Sequence, residues 1–257
     1  MMALRALLLA ALAAAAGACN SAPGRPPLNS EVIAPDKVLD FDVLYASNCA
    51  GCHGPDGAGG AALGLANPVY LAIADDATIR RVTADGVSGT AMPAFAQHAG
   101  GMLTEEQIDA IVSGIRARWA RPEMMSGVEL PPYAAQAPGD PARGAKVYAQ
   151  FCSSCHGASG RGDQRASSIV DGSYLALVSD QGLRTTVIVG RPNIGAPDWR
   201  GNVPGKPLSS EEISDVVAWL TAQRPRLSPG PSSQSASNSP GAHQPVAEAV
   251  LVEGGRQ

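Results

Sequence analysis

The feature that most constrains this chain is a short cysteine and histidine motif that occurs twice. The first copy reads Cys49-Ala50-Gly51-Cys52-His53, and the second reads Cys152-Ser153-Ser154-Cys155-His156. In each copy two thiols stand three positions apart, and a histidine follows the second thiol directly. The fold must therefore present a pair of thiols together with an imidazole at two places.

Two thiols at this spacing can each bond one vinyl arm of a haem, and the adjacent imidazole can then turn onto the iron. A redox disulfide or half of a zinc site also uses paired cysteines, but neither needs the histidine. A zinc ribbon would place its second pair roughly 15 to 20 residues on, whereas Cys52 and Cys152 are 100 positions apart. The motifs therefore predict two covalently attached haem c groups. The predicted attachment residues are Cys49, Cys52, Cys152 and Cys155, and the predicted axial ligands are His53 and His156.

The remaining cysteine, Cys19, closes a stretch with the features of an export signal. Arg5 gives a short positive region, and residues 6–16 are apolar but too few to span a bilayer as a helix. The run Ala16-Gly17-Ala18-Cys19 resembles the lipobox of bacterial lipoproteins, although an ordinary signal peptide with a free Cys19 thiol is the alternative. We expect removal of residues 1–18 and lipidation of Cys19, which would anchor the exported protein on the periplasmic side of a bacterial membrane.

Segments rich in proline, serine and glycine divide the rest of the chain. Residues 19–37 fit an extended tether, and residues 121–138 fit a linker because the apolar periodicity stops there. Residues 225–257 are rich in Ser, Pro, Gly and Gln, so we expect a disordered tail. Two patterned regions remain, at 38–120 and 139–224, and we expect each to be a domain.

The two patterned regions repeat one another. Cys49 and Cys152 are offset by 103 positions, Tyr70 and Tyr174 by 104, and Thr104 and Ser209 by 105. Apolar residues at helical spacing precede each motif, and a helix with a Thr or Ser cap and acids in its first turn closes each region. A drift of two residues over a whole domain indicates duplication of one folding unit.

With its motif and its closing amphipathic helix, each region resembles a class I cytochrome c domain, and the first also has the Met92-Pro93 pair of that family. The resemblance implies an all-α fold, with a few helices around a haem in each of two tandem domains. It also implies single-electron transfer and a methionine as the sixth iron ligand. In the first domain that ligand would be Met92, 39 positions after His53, with Met102 and His98 as the other nearby candidates.

The second domain departs from the family pattern. Ala196 stands 40 positions after His156, where a methionine would be expected, and no methionine follows Met125. The sixth position of the second iron is therefore expected to be empty, filled by water or hydroxide, or taken by an unusual ligand. The candidates for such a ligand are Lys206, His243, Met124 and Met125. Arg184 and Arg191 could pair with haem propionates or simply be solvated surface residues.

The two domains also differ in charge. Residues 38–120 carry nine acids and four bases, and residues 139–224 carry eight acids and nine bases. An acidic first domain would speed its encounter with a basic partner, although ordinary surface variation would give the same imbalance.

Together these features predict a membrane-tethered dihaem cytochrome c. It would pass single electrons between periplasmic or respiratory redox proteins, and it would bind no nucleic acid. The alternative is a peroxidase-like haem enzyme that uses an open second haem. Asp198 is the one acid near Ala196 that could donate a proton there, but its loop context favours a turn residue, so we favour the carrier.

Overall fold

The structure, a computed structural model, describes residues 33–225 and is helical over that range. It contains no β-strand between those residues, only three isolated bridges, so the all-α prediction is confirmed. The expected signal peptide, Cys19, the first part of the tether and the tail beyond Pro225 lie outside the described residues.

The α-helices fall into two similar sets of five, one in each domain. The first set is α1 (Phe41–Asn48), α2 (Ala50–His53), α3 (Pro68–Ile73), α4 (Asp76–Asp85) and α5 (Glu105–Trp119). The second set is α6 (Pro141–Phe151), α7 (Ser153–His156), α8 (Gly172–Leu177), α9 (Asp180–Val189) and α10 (Ser210–Thr221). Short 3₁₀ helices lie at Pro35–Lys37, Gln97–Ala99, Pro122–Met125 and Pro192–Ile194.

The closing helix of each domain begins with the same capping arrangement. The Thr104 hydroxyl accepts from the Gln107 backbone N–H at the start of α5, and the Gln107 side chain accepts from the Thr104 N–H. Ser209 and Glu212 do the same at α10. This reciprocal pair satisfies two backbone donors that the first turn leaves free. The apolar stripe expected on α5 is buried, at Ile108, Ile111, Val112 and Ile115.

The first and last helices of each domain cross at a glycine. In the first domain the glycine is on α5, where a Cβ on Gly114 would lie 2.1 Å from the Phe41 ring. In the second domain it is on α6, where a Cβ on Gly144 would lie 2.0 Å from the Asp215 carbonyl oxygen and 2.8 Å from the Trp219 Cβ. The two domains thus make the same close crossing with the small residue on opposite helices.

We expect Gly114→Ala to destabilise the protein by up to about 2 kcal/mol. Alanine gains about 1 kcal/mol of helix propensity over glycine, but overpacking typically costs about 1–3 kcal/mol. The Phe41 ring has little room to yield, because it lies 5.6 Å from the Trp119 ring and 5.1 Å from the Arg118 guanidinium. Chemical denaturation measures the change, with exposed Ser113→Ala as the control. An undiminished free energy of unfolding in Gly114→Ala would contradict this account of the crossing.

Buried residues of both domains belong to one continuous apolar cluster. The segment between the domains contributes to it, since Met125, Val128, Leu130 and Tyr133 pack against that cluster. Helix α9 also packs against α3 of the first domain. The segment predicted as a linker is therefore in contact with both domains.

None of the helices within residues 33–225 has the length and hydropathy needed to cross a membrane.

Candidate functional site

The first motif lies at a kink between α1 and α2. Cys49 ends α1 and begins α2, and its carbonyl accepts from the backbone N–H groups of Cys52 at 3.2 Å and His53 at 3.0 Å. Cys49, Cys52 and His53 therefore share one turn of helix. Both thiols are free, with Cys49 half-buried and Cys52 exposed. Burial raises the pKa of the Cys49 thiol to about 11, so it is neutral at physiological pH.

His53 is held in one tautomer by the backbone. Its Nδ1 lies 2.8 Å from the Leu63 carbonyl oxygen, which can only accept, so Nδ1 carries the proton and Nε2 keeps its lone pair. The side chain is buried, and that desolvation lowers the pKa of His53. A neutral imidazole with a free Nε2 and a carbonyl behind it is the form that binds metals.

A tyrosine of the preceding helix closes the turn after the motif. The Tyr45 hydroxyl donates to the Gly54 carbonyl at 2.8 Å. Gly54 itself has φ of 82°, and a Cβ there would lie 2.8 Å from the Gly59 carbonyl oxygen. Only glycine adopts this positive φ readily and has no Cβ to collide with the Gly59 carbonyl, which explains the glycine directly after the histidine.

The second motif repeats this geometry. The Cys152 carbonyl accepts from Cys155 at 3.2 Å and from His156 at 3.0 Å, and His156 Nδ1 lies 2.8 Å from the Ser167 carbonyl oxygen. The Tyr148 hydroxyl donates to the Gly157 carbonyl. Cys152 is half-buried and Cys155 exposed, as in the first domain, and burial raises the pKa of the Cys152 thiol to about 11.

Both sites fit haem c. Each offers two free thiols at one helical turn, and an imidazole whose Nδ1 is already occupied by a carbonyl. When bound, the haem supplies one-electron redox chemistry at its iron. The residues of the chain fix the ring orientation of each histidine and enclose part of the site.

Met92 lies half-buried in the loop between α4 and α5. Its N–H donates to Thr90 Oγ1 at 3.1 Å, and its carbonyl accepts from the Val87 N–H at 3.0 Å. The loop also passes so close to Gly86 that a Cβ there would lie 2.8 Å from the Met92 carbonyl oxygen. The backbone of Met92 is therefore held by two hydrogen bonds within its own loop and by its close approach to Gly86 at the end of α4.

The two other candidates in the first domain are placed differently. Met102 is 82% exposed. His98 has both ring nitrogens engaged, with Nδ1 2.9 Å from Glu105 Oε1 and Nε2 3.1 Å from Asp85 Oδ1. Arg80 meets the same Glu105 at 2.7 Å. His98 thus links the loop that contains Met92 to helices α4 and α5, and Met92 is the better candidate ligand.

The His98 contacts predict a pH dependence of stability. Hydrogen bonds with Glu105, and then with Asp85, raise the pKa of His98. Because the folded protein then holds the proton more tightly than the unfolded chain, the stabilisation is complete below pH of about 6.5 and is lost as the pH rises through the raised pKa. We expect the melting temperature to fall more between pH 6 and pH 8 in the parent protein than in His98→Gln. Parallel curves for the two proteins would show that this contact contributes nothing.

Ala196 occupies the backbone position that Met92 occupies in the first domain. The Ala196 carbonyl accepts from Arg191 N–H at 2.9 Å, as the Met92 carbonyl accepts from Val87 N–H. Further along, Trp199 N–H donates to the Ile188 carbonyl, matching the bond from Phe95 to Ala84. The loop is therefore the equivalent of the first one, with a methyl group in place of the thioether.

The substitute ligands named from the sequence lie elsewhere or have other contacts. Lys206 Nζ lies 3.0 Å from Gln150 Oε1 and 5.0 Å from the centre of the Phe151 ring. Met124 and Met125 belong to the 3₁₀ helix that packs against α3 of the first domain. His243 lies outside the described residues.

Three polar residues that the sequence analysis linked to the second site have contacts that define their roles. Arg184 is buried and bonds the linker, so it is neither a solvated residue nor free for a propionate. Arg191 donates to the Gly60 carbonyl of the first domain at 2.5 Å. Asp198 accepts from the Arg200 backbone at 2.9 Å and from its guanidinium at 2.6 Å, which agrees with a turn residue.

The roles of Arg184 and Arg191 were not predicted from the sequence. A signal for the first was present, because Arg184 repeats Arg80 at the offset of 104 positions while the acids that pair with Arg80 recur as serines. Nothing in the repeat indicated the contact of Arg191, since its counterpart is Val87.

Comparison with known proteins gives a family match in both domains. The family described as cytochrome c oxidase, cbb3-type, subunit III matches residues 37–113 and 139–220. The cbb3-type cytochrome c oxidase subunit FixP of Sinorhizobium medicae is 30% identical over 168 residues, which are 58% of this chain and 52% of that protein. FixP of Azorhizobium caulinodans is 31% identical over 191 residues, 69% of this chain and 57% of that protein. The chain therefore spans little more than half the length of these relatives.

Among solved structures, a chain of the Kuenenia stuttgartiensis reducing HAO-like protein complex Kustc0457/Kustc0458 matches 76% of this chain and 100% of its own length. The identity is 19% and the TM-score 0.42, which is too low to bear on the fold.

The family match includes both motifs, and the two matched segments cover more than half of the chain. They agree with the duplicated helical domains and with the two sites that fit haem c. The chain thus belongs to the cbb3-type cytochrome c oxidase subunit III family, as a class I c-type cytochrome whose two tandem domains take two haem c groups.

Proposed function

We propose that this protein is an electron carrier that takes up and releases single electrons at two haem sites. The observation that supports this most is the duplicated arrangement of two free thiols and an imidazole whose Nδ1 is bonded to a backbone carbonyl. The side chains of the chain hold and orient the cofactor, and they set how much water reaches it. Such surroundings tune a reduction potential without any catalytic acid or base.

The two sites differ in their sixth ligand under this proposal. Met92 is the ligand at the first site, because its loop is held in place while Met102 is exposed and His98 is engaged by two acids. Ala196 leaves the second site without a side-chain ligand from the equivalent loop. A His/Met pair raises the potential, so the first site is the higher of the two in potential.

The partners are other redox proteins. FixP proteins are named as subunits of a cbb3-type cytochrome c oxidase, and an oxidase of that kind is the acceptor that we propose for this chain. The excess of acids in the first domain favours a donor or acceptor with a basic docking surface. A transfer rate that does not change with ionic strength would remove that electrostatic contribution.

Attachment to a membrane through Cys19 is the remaining element of the proposal. It rests on the sequence, where an apolar stretch ends in Ala16-Gly17-Ala18-Cys19. Two or more acyl chains would give stable anchoring on the periplasmic side of a bacterial membrane. Cys19→Ser should then leave the membrane fraction and appear with the soluble proteins. If it stays in the membrane as the parent protein does, the lipid anchor is wrong.

One experiment separates the carrier from a haem enzyme. The reduced protein is mixed anaerobically either with an oxidised redox protein or with hydrogen peroxide and an excess of reductant. A carrier transfers its stored electrons once and stops, with one electron leaving each site. Sustained consumption of peroxide would instead support an enzyme acting at the second site.

A further inference from the structure

The two domains join their last two long helices through an arginine at the same place, but with different partners. In the first domain Arg80 of α4 donates from Nε to Asp109 at 2.7 Å and from a terminal nitrogen to Glu105 at 2.7 Å. All three side chains are on the surface. This is an ordinary exposed ion pair between two packed helices.

The counterpart of Arg80 in the second domain is Arg184, which is only 2% exposed. The positions of the two acids are held by serines, and Arg184 donates to Ser210 Oγ at 2.9 Å and to Ser214 Oγ at 3.1 Å. Among the described residues no carboxylate lies within ion-pair distance of it. A buried arginine needs strong hydrogen-bond partners, so the rest of its donors must be satisfied by something else.

Those partners come from the linker. Arg184 Nε lies 3.1 Å from the Tyr133 carbonyl oxygen, and a terminal nitrogen lies 3.0 Å from the Pro132 carbonyl oxygen. Gln181, one turn earlier on α9, donates to the same Tyr133 carbonyl at 2.8 Å. The carbonyls of the linker thus replace the carboxylates of the first domain, and the guanidinium can be buried only while the linker is docked.

The other end of the linker is fixed to the first domain. Its 3₁₀ helix Pro122–Met125 packs against α3, and Met125 contacts the buried cluster. A linker fixed at both ends restricts how the domains can move against each other.

Direct contacts between the domains lie beside the two haem sites. Arg191 donates to the Gly60 carbonyl, and a Cβ on Gly60 would lie 2.8 Å from the Cys52 carbonyl oxygen. The same Arg191 backbone pairs with Ala196 in the loop of the second site. Asn67 Nδ2 of the first domain donates to the Val189 carbonyl of α9 at 3.3 Å. The loop after the first motif therefore meets the sixth-position loop of the second site.

We propose that Arg184 is a positioning residue for electron transfer between the two haem sites. By docking the linker on the second domain, Arg184 keeps the hydrogen bond between Arg191 and Gly60 intact. The two haem sites then stay close enough for an electron to pass from one to the other. One site is oxidised as the other is reduced, and no further reactant is consumed. This inference rests on the proposed function, because it requires two redox-active sites.

The test compares Arg184→Met with the matched variant Arg80→Met in the full haem-containing protein. A flash-activated reductant delivers less than one electron per molecule, and the approach to equilibrium between the two sites is followed optically. We expect Arg184→Met to slow this step by about tenfold or more, since small misplacements of reacting groups change rates by one to two orders of magnitude. Arg80→Met should keep the parent rate, and Arg184→Lys should recover part of it.

A second variant keeps Arg184 and so avoids an unfilled buried space. Ser210→Glu combined with Ser214→Asp gives the second domain the acids of the first, and Arg184 should then pair with them and release the linker carbonyls. The rate should fall as in Arg184→Met, with the haem content and both reduction potentials unchanged. If Arg184→Met fails to fold, this variant decides the question.

The outcomes separate this inference from the proposed function. Two redox-active haems with parent rates in Arg184→Met or in the double variant would overturn the role of Arg184 and leave the carrier intact. A chain that lacks two reducible haems would overturn the proposed function itself. A lower melting temperature with an unchanged rate would mean that Arg184 stabilises the fold and does nothing more.

Discussion

Replacing Cys152 and Cys155 together with alanine should reduce the haem content of the protein from two groups to one. Under the proposed attachment each haem is bonded to the two cysteines of its motif, and coordination by the half-buried His156 alone would not survive denaturation. The matched variant, with Cys49 and Cys52 replaced, should lose the haem of the first site and keep the haem of the second site. Haem absorbance per polypeptide and the mass of the denatured chain measure both results.

The loss of a haem should also weaken the domain that contained it. A domain below about 100 residues buries too little surface to be comfortably stable alone. The paired variants should therefore show unfolding of one domain at lower denaturant concentration. Two haems still bound after denaturation in either variant would contradict the assignment of these cysteines.

The second large effect concerns the sixth ligands, and it can be tested in both directions. Met92→Ala should lower the potential of the first site by about 100 mV or more, because axial ligands set haem potentials over a range of about 0.8 V. Ala196→Met should raise the potential of the second site, since the Ala196 carbonyl accepts the same loop hydrogen bond as the Met92 carbonyl. A redox titration of each variant measures the shifts.

The two variants serve as controls for one another. Each should alter one reduction potential and leave the other within error, because the substitutions are in different domains. An unchanged first potential in Met92→Ala would assign the ligand elsewhere. An unchanged second potential in Ala196→Met would mean that a different group already fills that position.

The helices that present the two sites could be predicted from the sequence, because local signals specify them. Apolar spacing before each motif and the Thr104 and Ser209 caps predicted helices that the structure confirms as α1, α5, α6 and α10. The absence of a methionine at Ala196 could also be predicted, since aligning the two repeats places Ala196 opposite Met92. These features depend on residues near one another in the chain.

The contacts that join helices within each domain could not be predicted, because they depend on which residues meet in space. Arg116 and Arg224 show the difficulty. Arg116 donates to the Leu71 and Ala74 carbonyls and to Asp76, and Arg224 donates to the equivalent Leu175 and Val178 carbonyls and to Asp180. The two arginines are offset by 108 positions, against 104 for their partners. The same contact thus arises from positions that the repeat does not align.

The glycine at each helix crossing is a second example. Gly114 and Gly144 lie on opposite helices of their domains, so aligning the repeats gives no hint that they do the same thing. Only the structure shows that each glycine allows a close helix crossing, Gly114 against Phe41 and Gly144 against Trp219. The same helix crossing can thus be kept while the glycine that allows it changes from one helix to the other.

An optical redox titration of the mature protein, with and without carbon monoxide, tests the central claim most directly. We predict two one-electron transitions at separate potentials, with carbon monoxide altering the spectrum of the lower one alone. A single transition, or two transitions whose spectra do not change with carbon monoxide, would contradict the assignment of unlike sixth ligands. A protein with no haem absorbance would contradict the whole account.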